Sequence, residues 1–99
     1  MNINKKQEGS TLTIALEGRL DTTTSPQLEG ELRGALDGVT ELNFDLEKLQ
    51  YISSAGLRVL LSAQKVMNKQ GEMIIENVCP EIMEIFDVTG FLDILTIKQ

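Results

Sequence analysis

Strict alternation of apolar and polar side chains constrains the fold of this chain more than any other feature. Residues 11–17 and 41–46 both alternate. In each segment one face is apolar, and the positions on these faces are Leu12, Ile14, Leu16, Leu42, Phe44 and Leu46. Such a pattern is typical of strands that bury one face and leave the other in water. Because a sheet covered on both faces gives continuous apolar runs instead, we expect helices mainly on one side.

Segments with helical spacing separate the strands. We predict helices over residues 25–36, 55–68 and 80–88, further strands over 72–77 and 92–97, and a short edge strand around Ile3. Ser25 and Pro26 are assigned as the cap and first position of the first helix, and Gly38 as its end. Strands that alternate with helices favour parallel pairing through helical crossovers. The predicted fold is a single α/β domain over residues 1–99, with an open, mixed, mostly parallel sheet.

Size and charge argue against several classes of function. A chain of 99 residues suffices for one compact domain. Its net charge of -6, with the basic residues scattered, argues against nucleic-acid binding. No segment approaches the roughly 20 apolar residues that a membrane-spanning helix needs. The first residues also lack the apolar core of a secretory signal, so we expect a cytoplasmic protein that does not insert into the membrane.

The residues that common catalytic sites require are missing. The chain has no His and one Cys, Cys79, so the usual pairing of a nucleophile with a base cannot form. The carboxylates lack metal-ligand spacing, and no glycine-rich phosphate loop occurs. We therefore expect no metal, no cofactor and no enzymatic activity. Cys79 is interpreted as a packed, small apolar residue.

Two adjacent serines, Ser53 and Ser54, stand immediately before the second predicted helix. A serine hydroxyl at this position accepts a hydrogen bond from a free N–H group of the first turn. The positive end of the helix dipole there also favours an added phosphate group. The pair is therefore either an ordinary helix cap or a phosphorylation switch, and taken alone these residues favour the cap.

The segment Tyr51-Ile52-Ser53-Ser54-Ala55-Gly56-Leu57 resembles the signature of bacterial anti-sigma factor antagonists, small members of the STAS domain family. That signature is an aromatic-aliphatic pair followed by Asp, the phosphorylated Ser, a small residue, Gly and Leu. The resemblance implies that Ser54 is the phosphorylated residue. Ser53 is the runner-up, because it stands where many members carry Asp. The segments Gly18-Arg19-Leu20-Asp21 and 85–91 resemble two further parts of the family, so the likeness extends over nearly the whole chain.

The resemblance implies a function as well as a fold. It implies a protein-binding switch whose unphosphorylated form binds an anti-sigma factor that is also an ATP-dependent serine kinase, which frees a sigma factor. The kinase would inactivate the switch by phosphorylating Ser54, and a serine phosphatase would restore it. An acidic protein that gains phosphate becomes more negative still, which suits a switch that acts by repulsion.

The predicted partner-binding surface surrounds the serines and consists of Asp21, Ser53, Ser54, Gly56, Leu57, Arg58 and Leu61. The resemblance places Asp21 beside the serines, but a turn residue whose carboxylate accepts bonds from nearby backbone N–H groups is an equal alternative. Leu57 and Leu61 fall off the apolar face of the second helix. They are either covered by a neighbouring element or form an apolar contact patch with Arg58 at its rim. The apolar face itself is assigned to Ala55, Gly56, Val59, Leu60, Ala63, Val66 and Met67.

Two other functions fit the same resemblance. The chain could be a constitutive accessory subunit of a transporter or lipid-export complex, with purely structural serines. It could also be a small-ligand sensor that uses the serine segment as a pocket for a nucleotide or an anion. An output other than sigma-factor control, such as a response-regulator phosphatase pathway, is open as well.

Overall fold

Five strands and three helices occupy residues 1–98, the part of the chain that the computed structural model describes, and they alternate after the first two strands. The strands are β1 (Asn2–Glu8), β2 (Thr11–Leu20), β3 (Glu41–Ile52), β4 (Glu72–Glu76) and β5 (Thr96–Lys98). The helices are α1 (Ser25–Leu32), α2 (Ser54–Met67) and α3 (Pro80–Val88), followed by a short 3-10 helix at Phe91–Asp93. The order confirms the predicted alternation of strands with helical crossovers.

The strands form one sheet in the order β1-β2-β3-β4-β5. The hairpin of β1 and β2 is antiparallel, and the three other pairings are parallel. Over residues 11–16 of β2 and 41–46 of β3, buried residues alternate with half-buried ones. One face of the sheet therefore packs against helices while the other stays polar, which confirms the predicted open, mixed, mostly parallel α/β fold.

The core lies between the buried sheet face and the helices. Ile14 and Phe44 on the sheet and Leu60 on α2 are each 0% exposed. Most of the predicted apolar face of α2 is buried with them, but Val66 is 41% exposed. The assignment of Val66 to the buried face was wrong, because that position lies at the edge of the apolar stripe. It lines an open groove between α1 and α2 together with Leu32, Leu36 and Val59.

The first helix is shorter than predicted and begins differently. It ends at Leu32 and not at residue 36, because the backbone at Arg33 is extended. Its N-cap is Thr24, and the predicted cap Ser25 is already helical. The Ser25 hydroxyl donates to the Asp21 carbonyl oxygen at 2.6 Å instead of capping a backbone N–H group.

Three strand boundaries also differ from prediction. Strand β2 continues to Leu20 and not to residue 17. Strand β3 continues to Ile52, six residues beyond the alternating segment 41–46 from which the strand was predicted. The second half of β3 stays paired with β2, but the register of the pairing shifts twice. These shifts interrupt the alternation seen in residues 41–46, so the pattern does not predict the rest of the strand. The last strand occupies Thr96–Lys98 and not residues 92–97, because a left-handed Gly90 starts the 3-10 helix at Phe91–Asp93.

Candidate functional site: the serine loop at the start of α2

The long strand β3 carries the two serines to the edge of the sheet. Its last pairs with β2 are Tyr51 with Arg19 and Ile52 with Leu20. The backbone N–H group of Ser53 then donates to the Leu20 carbonyl oxygen at 2.9 Å, which extends the pairing by one step. The turn that follows Leu20 therefore starts directly beside the serines.

The two serines have different environments. Ser53 is the N-cap of α2, and its Oγ accepts a long hydrogen bond of 3.4 Å from the N–H group of Gly56. It is half-buried. Ser54 is the first residue of the helix and is exposed. Within residues 1–98 its hydroxyl group makes no hydrogen bond, so the cap occupies one hydroxyl and leaves the other free.

The charges around the serines suit an added anion. The first turn of α2 carries no acidic residue, and Lys65 lies in its last turn. Arg58 is exposed one turn after Ser54. Because the helix dipole is positive at this end, a negative group at Ser54 meets attraction and no side-chain repulsion from the same turn.

Asp21 begins the turn beside the serines, and one oxygen of its carboxylate accepts hydrogen bonds within that turn. Its Oδ1 accepts hydrogen bonds from the backbone N–H groups of Thr23 at 3.0 Å and Thr24 at 3.1 Å. Its Oδ2 lies 3.7 Å from Nε of Arg19. The Thr24 bond, the Thr23 bond and the Arg19 charge lower the pKa of Asp21, against the opposing effect of burial. Asp21 therefore acts as a turn residue whose carboxylate accepts bonds from nearby backbone N–H groups, and this turn lies beside the serines.

Gly56 is buried beneath the loop and leaves no room for a side chain. A Cβ atom there would lie 2.8 Å from Cγ1 of Ile52 and 2.8 Å from Cγ of Leu20. The first turn of α2 thus packs directly on the ends of β2 and β3. Gly56 contributes close packing that holds the serines in place and offers no side chain to a partner.

Leu57 and Leu61, which the sequence left open, have different positions. Leu57 is 5% exposed and belongs to the core, so a neighbouring element covers it. Leu61 is only half-buried. An apolar ridge made by both side chains is therefore absent from the surface, and Leu61 with the exposed Arg58 is what remains of the predicted patch.

A groove between α1 and α2 adjoins the loop and was missed by sequence reasoning. Its part nearest the serines is an open cavity of about 410 Å³, lined by Thr22, Glu29, Ala55, Arg58 and Ser62 among others. The groove depends on the distance between two helices that are far apart in the sequence. The only local sign was Val66, an apolar residue at the margin of its helix face.

Residues 1–98 contain no group of three or more Cys, Asp or Glu side chains placed to hold a metal ion. Cys79 is half-buried, with its Sγ 3.8 Å from the Leu49 carbonyl oxygen. None of the helices described above is long and apolar enough to cross a membrane.

Comparisons with known proteins agree with this architecture. BtrV of Bordetella bronchiseptica is 39% identical over 90 residues, which cover 89% of this chain and 78% of BtrV. The anti-sigma-B factor antagonist of Bacillus subtilis is 29% identical over 99 residues, covering 99% of this chain and 91% of the relative. The unphosphorylated structure of the anti-sigma factor antagonist SpoIIAA superposes with a TM-score of 0.78 at 20% identity, covering 99% of this chain and 88% of that one, and shows the same fold. The STAS domain family matches residues 2–99. The chain belongs to the STAS domain family.

Proposed function

We propose that this chain is an anti-sigma factor antagonist that works as a phosphorylation-controlled binding switch. Its unphosphorylated form binds an anti-sigma factor with serine kinase activity and so releases a sigma factor. The proposal is supported by the anti-sigma-B factor antagonist of Bacillus subtilis, which aligns with 99% of this chain. The role is that of a binding protein and not of a catalyst, and it belongs in the cytoplasm, where ATP and the transcription machinery are.

The observation that carries the proposal is the difference between the two serines. Ser54 is exposed with a free hydroxyl at the first position of α2, whereas the Ser53 hydroxyl caps the helix. A kinase can therefore modify Ser54 without removing the cap. We assign Ser54 as the phosphorylation site and keep Ser53 as the competitor.

The physical effect of the modification is local. A phosphoryl group adds about -1.5 to -2 charges at one surface point. The helix dipole stabilises it by roughly 0.3 to 1 kcal/mol, so the fold tolerates it. A partner that packs closely on this surface must desolvate that charge and make room for it, so the phosphorylated form binds weakly. A serine phosphatase that removes the group restores binding.

The proposed contact surface is centred on the serine loop. Ser53, Ser54, Asp21, Arg58 and Leu61 supply its accessible atoms. Gly56 and Leu57 support this surface from beneath. Gly56 has no side chain and the Leu57 side chain is buried, so neither offers side-chain atoms to a partner. The groove beside Arg58 extends this surface along α2.

Phosphorylation of the purified protein by host lysate tests the proposal. Wild-type protein, Ser54→Ala and the control Ser62→Ala, which changes another exposed serine of α2, are incubated with lysate and γ-labelled ATP. We expect label on Ser54 that disappears only in Ser54→Ala, with the position established by mass spectrometry. Label on Ser53 would move the acceptor by one residue. Unlabelled wild-type protein in a lysate that phosphorylates another substrate would contradict the switch.

A further inference from the structure

An exposed arginine lies one helical turn after the proposed acceptor. Ser54 and Arg58 are at positions i and i+4 of α2, and both are exposed. Residues at this spacing are neighbours on a helix surface, with Cβ atoms about 5 to 6 Å apart. An anion that precedes its cation in the chain is the more favourable order, because it also agrees with the helix dipole. The two positions are therefore arranged for an ion pair once Ser54 carries charge.

Arg58 is free to make that pair. The ion pairs within residues 1–98 involve Lys5, Lys6 and Arg19, and none involves Arg58. The other arginine near the serines, Arg19, is already held by the Asp21 carboxylate at 3.7 Å and by the Tyr51 ring at 4.3 Å. Glu29 lines the same cavity as Arg58 without forming an ion pair with it.

We propose that Arg58 is the internal counter-ion of phosphorylated Ser54. The inference rests on the proposed modification of Ser54 and adds a consequence to it. In the unmodified protein Arg58 lies at the groove between α1 and α2, where a partner can contact it. In the modified protein the phosphate engages the guanidinium, so one modification both adds negative charge and withdraws a cation from the contact surface. Arginine suits this role because its planar donors match phosphate oxygens in pairs.

The pair is tested on protein in which phosphoserine is incorporated at position 54 during synthesis. The second pKa of the phosphate, near 6 in free phosphoserine, is followed by phosphorus NMR in a pH titration. An adjacent cation favours the dianion and lowers this pKa. Arg58→Gln is therefore expected to raise the titration midpoint by about 0.15 to 0.4 units relative to the parent.

Lys65→Gln is the matched control. It removes the same charge from the same helix, but it lies eleven residues beyond Ser54, about 16 Å along the axis. Its midpoint should equal that of the parent. An unchanged midpoint in Arg58→Gln, or an equal rise in both variants, would overturn the pair. Because the phosphoserine is installed without a kinase, failure here is distinct from a lack of labelling in lysate.

Discussion

The guanidinium carbon of Arg19 lies 4.3 Å from the centroid of the Tyr51 ring. The two residues are also direct partners in the pairing of β2 with β3. Their contact therefore joins the two strands two residues before Asp21 on one strand and two residues before Ser53 on the other. It is a cross-strand side-chain contact of the kind that stabilises sheet pairing, placed where the second register irregularity interrupts the ladder.

A double-mutant cycle measures this contact. Arg19→Met and Tyr51→Leu, separately and together, are expected to show a coupling free energy of about 0.5 to 1 kcal/mol in urea unfolding. Pairing Tyr51→Leu with Arg33→Met, which changes an exposed arginine outside the stack, should give additive losses. Additivity in the Arg19 cycle as well would show that the ring and the guanidinium do not interact.

The two serines are predicted to differ in their effect on stability. Ser53→Ala removes the cap acceptor and should lower the free energy of unfolding by about 0.5 to 1 kcal/mol, at the low end because the bond is long. Ser54→Ala removes no hydrogen bond and should change it by less than about 0.5 kcal/mol. Chemical denaturation of both variants measures the two changes in unfolding free energy. A larger loss at Ser54 would mean that it, and not Ser53, is the cap.

Gly56 is predicted to tolerate no side chain. Gly56→Ala places a Cβ atom against Ile52 and Leu20 and should cost about 1 to 3 kcal/mol of unfolding free energy. Gly30→Ala is the control, since Gly30 lies inside α1 and a Cβ atom added there would meet nothing within 4 Å. That change should stabilise by about 0.5 to 1 kcal/mol. Equal effects at both glycines would contradict the close packing under the loop.

Asp21 makes stability depend on pH. Hydrogen bonds from Thr24 and Thr23 and the Arg19 charge lower the pKa of its carboxyl group below its ordinary value of 3.8. Because the folded pKa is the lower one, the contribution to stability is fully present above the ordinary value and is lost as the pH falls through the folded pKa. Asp21→Asn should therefore destabilise the protein near neutral pH and converge with wild type in acid. Urea unfolding across this range measures it, with the exposed Asp37→Asn as control; a pH-independent difference would contradict the mechanism.

Substitutions at Leu57 and Leu61 are predicted to have different effects, the first on stability and the second on partner binding. Leu57→Ala removes a core side chain and should cost about 2 to 4 kcal/mol of unfolding free energy. Leu61→Gln changes a half-buried position and should leave the protein folded while weakening the proposed partner complex. Circular dichroism and titration calorimetry with the cognate anti-sigma factor distinguish these effects. If the Leu61→Gln variant bound the partner with unaltered affinity, Leu61 would not belong to the proposed contact surface.

The serine site itself was accessible to sequence reasoning only in part. A pair of serines before a helix predicts an N-cap, and the resemblance to a family motif drew attention to Ser54. What separates the residues is that Ser53 is half-buried and bonded to Gly56 whereas Ser54 is exposed. That distinction depends on how the first turn of α2 packs on the ends of β2 and β3, which brings together segments that are distant in the chain.

The sequence by itself determined the order of strands and helices, the buried faces of β2 and β3 and the one-sided cover of the sheet. Those features follow from residue periodicity, because side-chain direction repeats every two residues in a strand and every 3.6 in a helix. Tertiary structure decided the continuation of β3 to Ile52, the burial of Leu57 and the groove that exposes Val66. Each of these depends on contacts between segments distant in the chain, and periodicity carries no information about which segments meet.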